Sequence, residues 1–249
     1  MQRSLPKESG WDFTMDSYDV VHKMEYPAED KIEGYDAFIY TGSAASAHAD
    51  VEWIHKLIEF TAHLAKNHPK VKIFGICFGH QIISLALGGT CVKNDGKWEV
   101  GPTKIRTSFE TENELIIQEM HQDHCPFVPQ GFHLLASTDI SVNQGMVSTT
   151  GAKYHFTPTP ESRVSSSPSP SSKSSSSFPL TDIHIITVQG HPEFTRSIVS
   201  IMAAKRSKQG IITDNLKQDV DRRNEALPND KAAGDGEVIG RIFWKVLGV

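Results

Sequence analysis

The sequence predicts an α/β protein whose mostly parallel central sheet is flanked by helices. Three observations predict it. Short apolar runs rich in strand formers, such as Val71–Ile76 and Ile183–Val188, alternate with segments whose apolar residues recur at helical spacing. A glycine-rich strand-to-helix turn, Gly75-Ile76-Cys77-Phe78-Gly79, joins one such pair. At 249 residues the chain is long enough for one α/β domain with a real core, expected to span 1–249.

The elements follow in chain order. Met1 to Gly10 is polar, and the first clear strand is Ala37 to Tyr40. His48-Ala49-Asp50 precedes a helix whose Val51, Ile54, Ile58, Ala62 and Ala65 share one face, with Asp50 as N-cap and Pro69 beyond its end. A strand ends at Ile76, and Ile82, Ile83, Ala86 and Leu87 then define a helix stopped by Gly88-Gly89. Thr90 to Leu135 reads as shorter strands and turns, among them Lys104–Thr107 and Phe132–Ala136. A serine-rich insert at about 157–179, punctuated by Pro168 and Pro170, has too little apolar surface to offset its ordering entropy and is expected to be disordered. It reads as a surface insertion, with a phosphorylated regulatory loop as the alternative. After the Ile183–Val188 strand the tail is helical. Ile198, Ile201 and Met202 form one expected core-facing stripe, and Val238, Ile239, Ile242, Phe243, Val246 and Leu247 form another.

The turn around Cys77 carries chemistry. Its glycines remove Cβ atoms that would clash on either side of a sharp bend, and the bend lifts the sulfur above the sheet edge. There the helix dipole and free N–H groups favour a negatively charged sulfur. Alone, the turn is also compatible with an inert buried cysteine. Val188-Gln189-Gly190-His191-Pro192-Glu193-Phe194, after the second strand, supplies what a thiol nucleophile needs: a base in His191 and an orienting carboxylate in Glu193.

These two segments, Gly-Ile-Cys-Phe-Gly-His-Gln and Gln-Gly-His-Pro-Glu-Phe, resemble the class I glutamine amidotransferase family with its Cys-His-Glu triad. Tyr40-Thr41-Gly42-Ser43, Leu87-Gly88-Gly89-Thr90, Trp98-Glu99-Val100-Gly101, His121-Gln122-Asp123 and Gln144-Gly145-Met146 follow the family's order. The resemblance implies a flavodoxin-like glutaminase fold and Cys77, His191 and Glu193 as catalytic residues. It implies an oxyanion hole from the backbone N–H groups of Gly42 and Phe78, with Gln81, His121 and Asp123 holding substrate. Relatives usually open with a hydrophobic strand, whereas Trp11–Val21 already resembles their second unit, so the N-terminus is expected to be truncated or rebuilt.

The implied reaction is hydrolysis of the γ-amide of glutamine, with ammonia passed to a synthetase or other biosynthetic enzyme. Cleavage of glutathione-type conjugates by a γ-glutamyl peptidase is the alternative, and a catalytically impaired binding or regulatory relative is a third reading. A net charge of −5 gives no general affinity for nucleic acid or anionic membranes. Three irregularly spaced cysteines argue against a disulfide framework and for a reducing compartment, the cytosol or also the nucleus, with Cys91 and Cys125 as ordinary thiols. No apolar run reaches membrane-spanning length. No cofactor is expected, since no phosphate-binding or dinucleotide glycine motif is present. No metal is expected either: His121, His124 and Cys125 lack a second ligand pair, and His48, His55, His63 and His68 are assigned to a solvated or half-buried helix surface.

Overall fold

The structure, a computed structural model, describes residues 10–109, 112–154, 179–228 and 234–249. The serine-rich insert lies outside the described residues except for its last position, Pro179. After the short helix α1 (Glu29–Ile32), the chain alternates β1 (Ala37–Tyr40), α2 (Glu52–Asn67), β2 (Lys72–Ile76) and α3 (Phe78–Ala86). It then turns to strands: β3 (Val92–Lys93), β4 (Glu99–Phe109), β5 (Glu112–His121), β6 (Asp123–His124), β7 (His133–Ser137), β8 (Gly145–Thr149) and β9 (Ile183–Val188). Helices α4 (Arg196–Lys208), α5 (Asp214–Ala226) and α6 (Gly236–Val246) complete it.

Seven strands form one sheet in the order β1-β2-β9-β8-β7-β4-β5. Only β1, β2 and β9 run parallel to one another; β9·β8, β8·β7, β7·β4 and β4·β5 pair antiparallel. The α/β class stands, with the correction that the sheet is mixed instead of mostly parallel. The reason is connectivity. Among the described residues no helix intervenes between β4 and β8, so successive strands return as hairpins and not as crossovers. β3 and β6 pair separately as a small two-stranded ribbon.

Strand alternation divides the core. On β2, Ile73 faces a cluster with Ile54, Leu57 and Leu64 of α2 and Ile82 and Leu85 of α3. Its neighbour Phe74 faces the opposite cluster and stacks on Phe243 of α6, centroids 4.6 Å apart. A third cluster joins Val199 and Ala203 of α4 and Val220 of α5 to Val100 and Met120. Helix α3 is buried along its whole length, which is why its apolar residues show no single stripe. Among the described residues no helix is long and apolar enough to cross a membrane.

Several local expectations shift. Val51 takes the N-cap position of α2, and Asp50 accepts a hydrogen bond from His55 instead (2.7 Å). The buried stripe of α2 is Ile54, Leu57, Thr61, Leu64 and Ala65, leaving Val51 exposed and Ile58 and Ala62 half-buried. On α4 the core side is Val199 and Ala203, while Ile198 and Ile201 face outward and Met202 is half-buried. The stripe on α6 is as expected, with Ile239, Phe243 and Val246 buried. Among the described residues β1 is an edge strand. The segment before it packs back through Phe13 on Trp244 (5.3 Å) and Tyr18 on Tyr35 (oxygens 2.7 Å apart).

Candidate active site

The parallel strands place the site. Register pairs Tyr40 with Gly75 and Ile76 with Val188, so β1, β2 and β9 end at one level. The backbone N–H of Cys77 donates to Val188 O (2.9 Å), tying the turn to the strand that leads into His191. Ligand sites form at such carboxyl ends. Cys77 has φ 52° and ψ −103°, a left-handed conformation that L-residues rarely adopt. The flanking glycines are needed for space: a Cβ on Gly75 would lie 2.6 Å from Ile83 Cδ1, and one on Gly79 would overlap the Tyr40 carbonyl. This is the expected elbow, and it buries the sulfur at the N-terminus of α3.

His191 is anchored by its own backbone, whose N–H donates to Gln118 O (2.8 Å), and its ring stacks on Phe194 at 3.9 Å. Its Nδ1 lies 2.7 Å from Glu193 Oε1. The ring also hydrogen-bonds with the Cys77 side chain. Burial opposes charge on this imidazole, but hydrogen bonding and attraction to Cys77 and Glu193 prevail and push its pKa up to about 10. The ring therefore holds a proton at neutral pH. Thiol, imidazole and carboxylate are brought to one place, with Glu193 partly open to solvent. Such a set can pass a proton between sulfur, ring and leaving group.

Gly42 lies against both partners. A Cβ there would sit 2.8 Å from His191 Cε1 and 3.7 Å from Cys77 Cβ. Phe78 is the first helical residue after Cys77, so its N–H belongs to the unpaired set at the helix start. A cavity of about 430 Å³ opens beside these two residues, walled by Trp53, Phe60 and Tyr26; Cys77 and His191 stand just outside its lining.

The remaining expected residues converge on each other. Gln81 is buried, its amide donating to Asp123 O (3.0 Å) and to Gln189 Oε1 (3.2 Å). Asp123 accepts from Ser46 Oγ and lies 3.3 Å from His48 Nε2, so its carboxylate is taken up by the loop after Gly42. His121 Nδ1 is 3.0 Å from Asp123 O, and its Nε2 points into a buried pair, 3.2 Å from Glu119 and 3.4 Å from Glu99. Burial works against its charge, yet Glu119 and then Cys77 and Glu99 carry its pKa up to about 9. The three cysteines are free and buried.

Sequence reasoning missed several partners. Gln189 Nε2 lies 3.6 Å from Cys77 Sγ and bridges to Gln81; it sat inside the His191 motif without a role. Glu99, quoted in its motif but given no role, accepts from Thr138 Oγ1 (2.7 Å) and Gln144 Nε2 (2.8 Å). Glu119 shares strand parity with buried Leu115 and Ile117, and a carboxylate on an apolar parity was the available signal. Gly190 must lack a side chain because a Cβ would overlap Glu119.

The mixed sheet thus carries a cysteine elbow against a histidine–glutamate loop. The class I glutamine amidotransferase model matches residues 12–156, more than half of the chain, and the chain belongs to that family. The match contains Cys77 but ends before His191 and Glu193, which the fold brings to it. A glutamine amidotransferase-like protein of Schizosaccharomyces pombe is 30% identical over 86% of this chain and 76% of its own. Gamma-glutamyl peptidase 3 of Arabidopsis thaliana is 28% identical over 70% of this chain and 61% of its own. A GMP synthase of Streptomyces avermitilis is 40% identical, but over only 28% of this chain and 14% of its own. The solved glutamine amidotransferase of Thermotoga maritima shares the fold at a TM-score of 0.57 and 14% identity, covering 89% of this chain and 81% of that one.

Proposed function

We propose that this protein hydrolyses the γ-amide of glutamine through a γ-glutamyl thioester on Cys77 and delivers the ammonia to an acceptor enzyme. The observation that carries the reading is the sheet register, which sets Cys77 against the loop bearing His191 and Glu193. Cys77 Sγ attacks the amide carbon, and the carbonyl electron pair moves onto oxygen. Backbone N–H groups of Gly42 and Phe78 stabilise that oxyanion. The carbonyl re-forms as the C–N bond breaks, and protonated His191 gives its proton to the departing nitrogen. Neutral His191 then takes a proton from water, whose oxygen attacks the thioester. Glutamate leaves as the C–S bond breaks, and the proton taken from water stays on His191, which restores the starting state. Glu193 holds the ring with Nδ1 engaged, leaving the other nitrogen for transfer. Gln81, His121 and Asp123 act as the frame on which the substrate's amino-acid end is held, with Gln189 linking that frame to the sulfur.

A second reading, cleavage of γ-glutamyl peptides or conjugates by the same groups, is favoured by the apolar-walled cavity beside Gly42 and Phe78, which has room for a leaving group larger than ammonia. One experiment tests both. Glutamate release is measured from glutamine, glutathione and a glutathione S-conjugate, with wild-type protein and with Cys77→Ala. Wild-type release from glutamine that vanishes in the variant is the expected result. Release confined to the conjugates replaces the first reading by the second, and release undiminished in Cys77→Ala removes both.

A further inference from the structure

At the junction of α1 with the end of α2, Glu29, His63 and His68 point one ligand atom each to a common centre. Their donor atoms all lie within 4.8 Å of one another. His63 Nε2 is 2.9 Å from Glu29 Oε2, and His68 Nε2 is 3.0 Å from Glu29 Oε1. The two rings stand 5.5 Å apart, centroid to centroid. In a continuous helix, residues five apart lie on different faces. His68 escapes this because it is the C-cap of α2, with φ −123° and ψ 60°, so its ring swings back beside His63. His68 thereby departs from the surface placement expected of it: it is buried, whereas His63 and Glu29 remain open to solvent.

The outer contacts orient the rings. Glu33 Oε1 lies 2.7 Å from His68 Nδ1 and accepts its proton. In the neutral ring that bond leaves Nε2 with its lone pair facing the Glu29 carboxylate. Two lone-pair-bearing atoms 3.0 Å apart repel unless a proton or a metal ion sits between them. Asn67 Nδ2 donates to His63 Nδ1 (2.8 Å), and a half-turn of that amide lets its oxygen accept there instead, which frees Nε2 for a ligand. A carboxylate behind a ligating histidine is the usual support of a metal site. None of these residues serves the proposed hydrolysis.

We propose that Glu29, His63 and His68 bind a divalent transition-metal ion of the zinc type, with water in the fourth position. Two imidazole nitrogens and one carboxylate oxygen are a zinc donor set, whereas calcium and magnesium require oxygen ligands. The ion staples α1, and with it the segment leading into β1, to helix α2. Trp53 of that helix lies 5.5 Å from Phe78, the residue after Cys77. The role is structural, and it stands whether or not the hydrolytic reading holds.

The test uses the full chain carrying Cys77→Ala, so that the active-site thiol cannot compete, stripped with chelator and titrated with zinc ion by calorimetry. One zinc per chain is expected, with micromolar or tighter affinity and a rise in Tm at saturation. His63→Gln and Glu29→Gln, both at solvent-open positions, are expected to keep the fold and to weaken binding at least about tenfold, as loss of a metal ligand requires. The Tm rise should vanish with them. Absence of binding up to 100-fold above micromolar zinc, or undiminished affinity in the two variants, overturns the site and leaves a hydrogen-bonded cluster of the three side chains in its place.

Discussion

Cys77 holds a backbone conformation that a non-glycine residue adopts only when its surroundings force it, and here three contacts do so. Its N–H is bound to Val188 O, Gly75 and Gly79 leave no room for relaxation, and Phe78 must begin a helix. Strain of this kind aims a side chain. Gly42 complements it from the other side, since it is not in a left-handed conformation and its requirement is purely one of space. Alanine at that position is therefore acceptable to the backbone but presses on His191 Cε1, 2.8 Å away. Gly42→Ala is expected to lower kcat by about 10²–10³-fold, the usual cost of displacing an oxyanion donor and its neighbouring base, while leaving the unfolding midpoint nearly unchanged. Steady-state glutamate release checks it; a wild-type kcat in a folded variant would show that the glycine loop stands clear of the imidazole.

At the scale of elements, α6 supports the elbow from behind. Phe243 stacks face to face on Phe74 with planes 9° apart, and Phe74 lies three residues before Cys77 on β2. Both rings are fully buried. Phe243→Ala is expected to cost about 3–5 kcal/mol through lost burial and the cavity left behind. At about 2–4 °C per kcal/mol for a chain of this size, the melting temperature should fall by on the order of 10 °C. A loss below about 1 kcal/mol in urea unfolding would mean that α6 is not packed as described. The helices also show where sequence patterning carried information and where it stopped. On α6 the apolar stripe was legible because Val238, Ile239, Ile242, Phe243 and Val246 recur at helical spacing between the charged residues Glu237, Arg241 and Lys245. On α4 the two isoleucines are the larger apolar residues, yet Val199 and Ala203 face the core, packing with Val100 and Met120 of β4 and β5.

At the scale of the whole molecule, what the sequence revealed was the parallel third of the sheet. There a strand, a glycine turn and a helix repeat, and short apolar runs buried on both faces leave a clear signature. In the antiparallel remainder, strands were legible at Lys104–Thr107 and Phe132–Ala136, but not their extent or pairing, because buried Glu99, Gln118 and Glu119 interrupt the apolar pattern of β4 and β5. Those polar residues are interpretable only once folding brings His121, Gln144 and His191 to them. The same burial of polar groups gives the fold a pH limit. His184 lies within β9, at the centre of the structure, almost wholly buried. Burial first, and the Lys72 ammonium second, lower its pKa from 6.5 to about 4. A depressed histidine pKa means that the fold accepts the neutral ring and resists the charged one. Its contribution is intact above the unfolded value of 6.5 and is progressively lost as pH falls from there to about 4. The loss amounts to about 3 kcal/mol, from roughly 1.4 kcal/mol per pKa unit. Urea unfolding at pH 7, 5.5 and 4 should show wild-type stability dropping more steeply than that of His184→Asn, whose side chain takes up no proton. The variant starts lower at pH 7, because it leaves a smaller residue among packed neighbours, and the two curves converge toward pH 4. Parallel curves across that range would mean that His184 is protonated as readily in the folded chain as in the unfolded one, and that other groups set the acid limit.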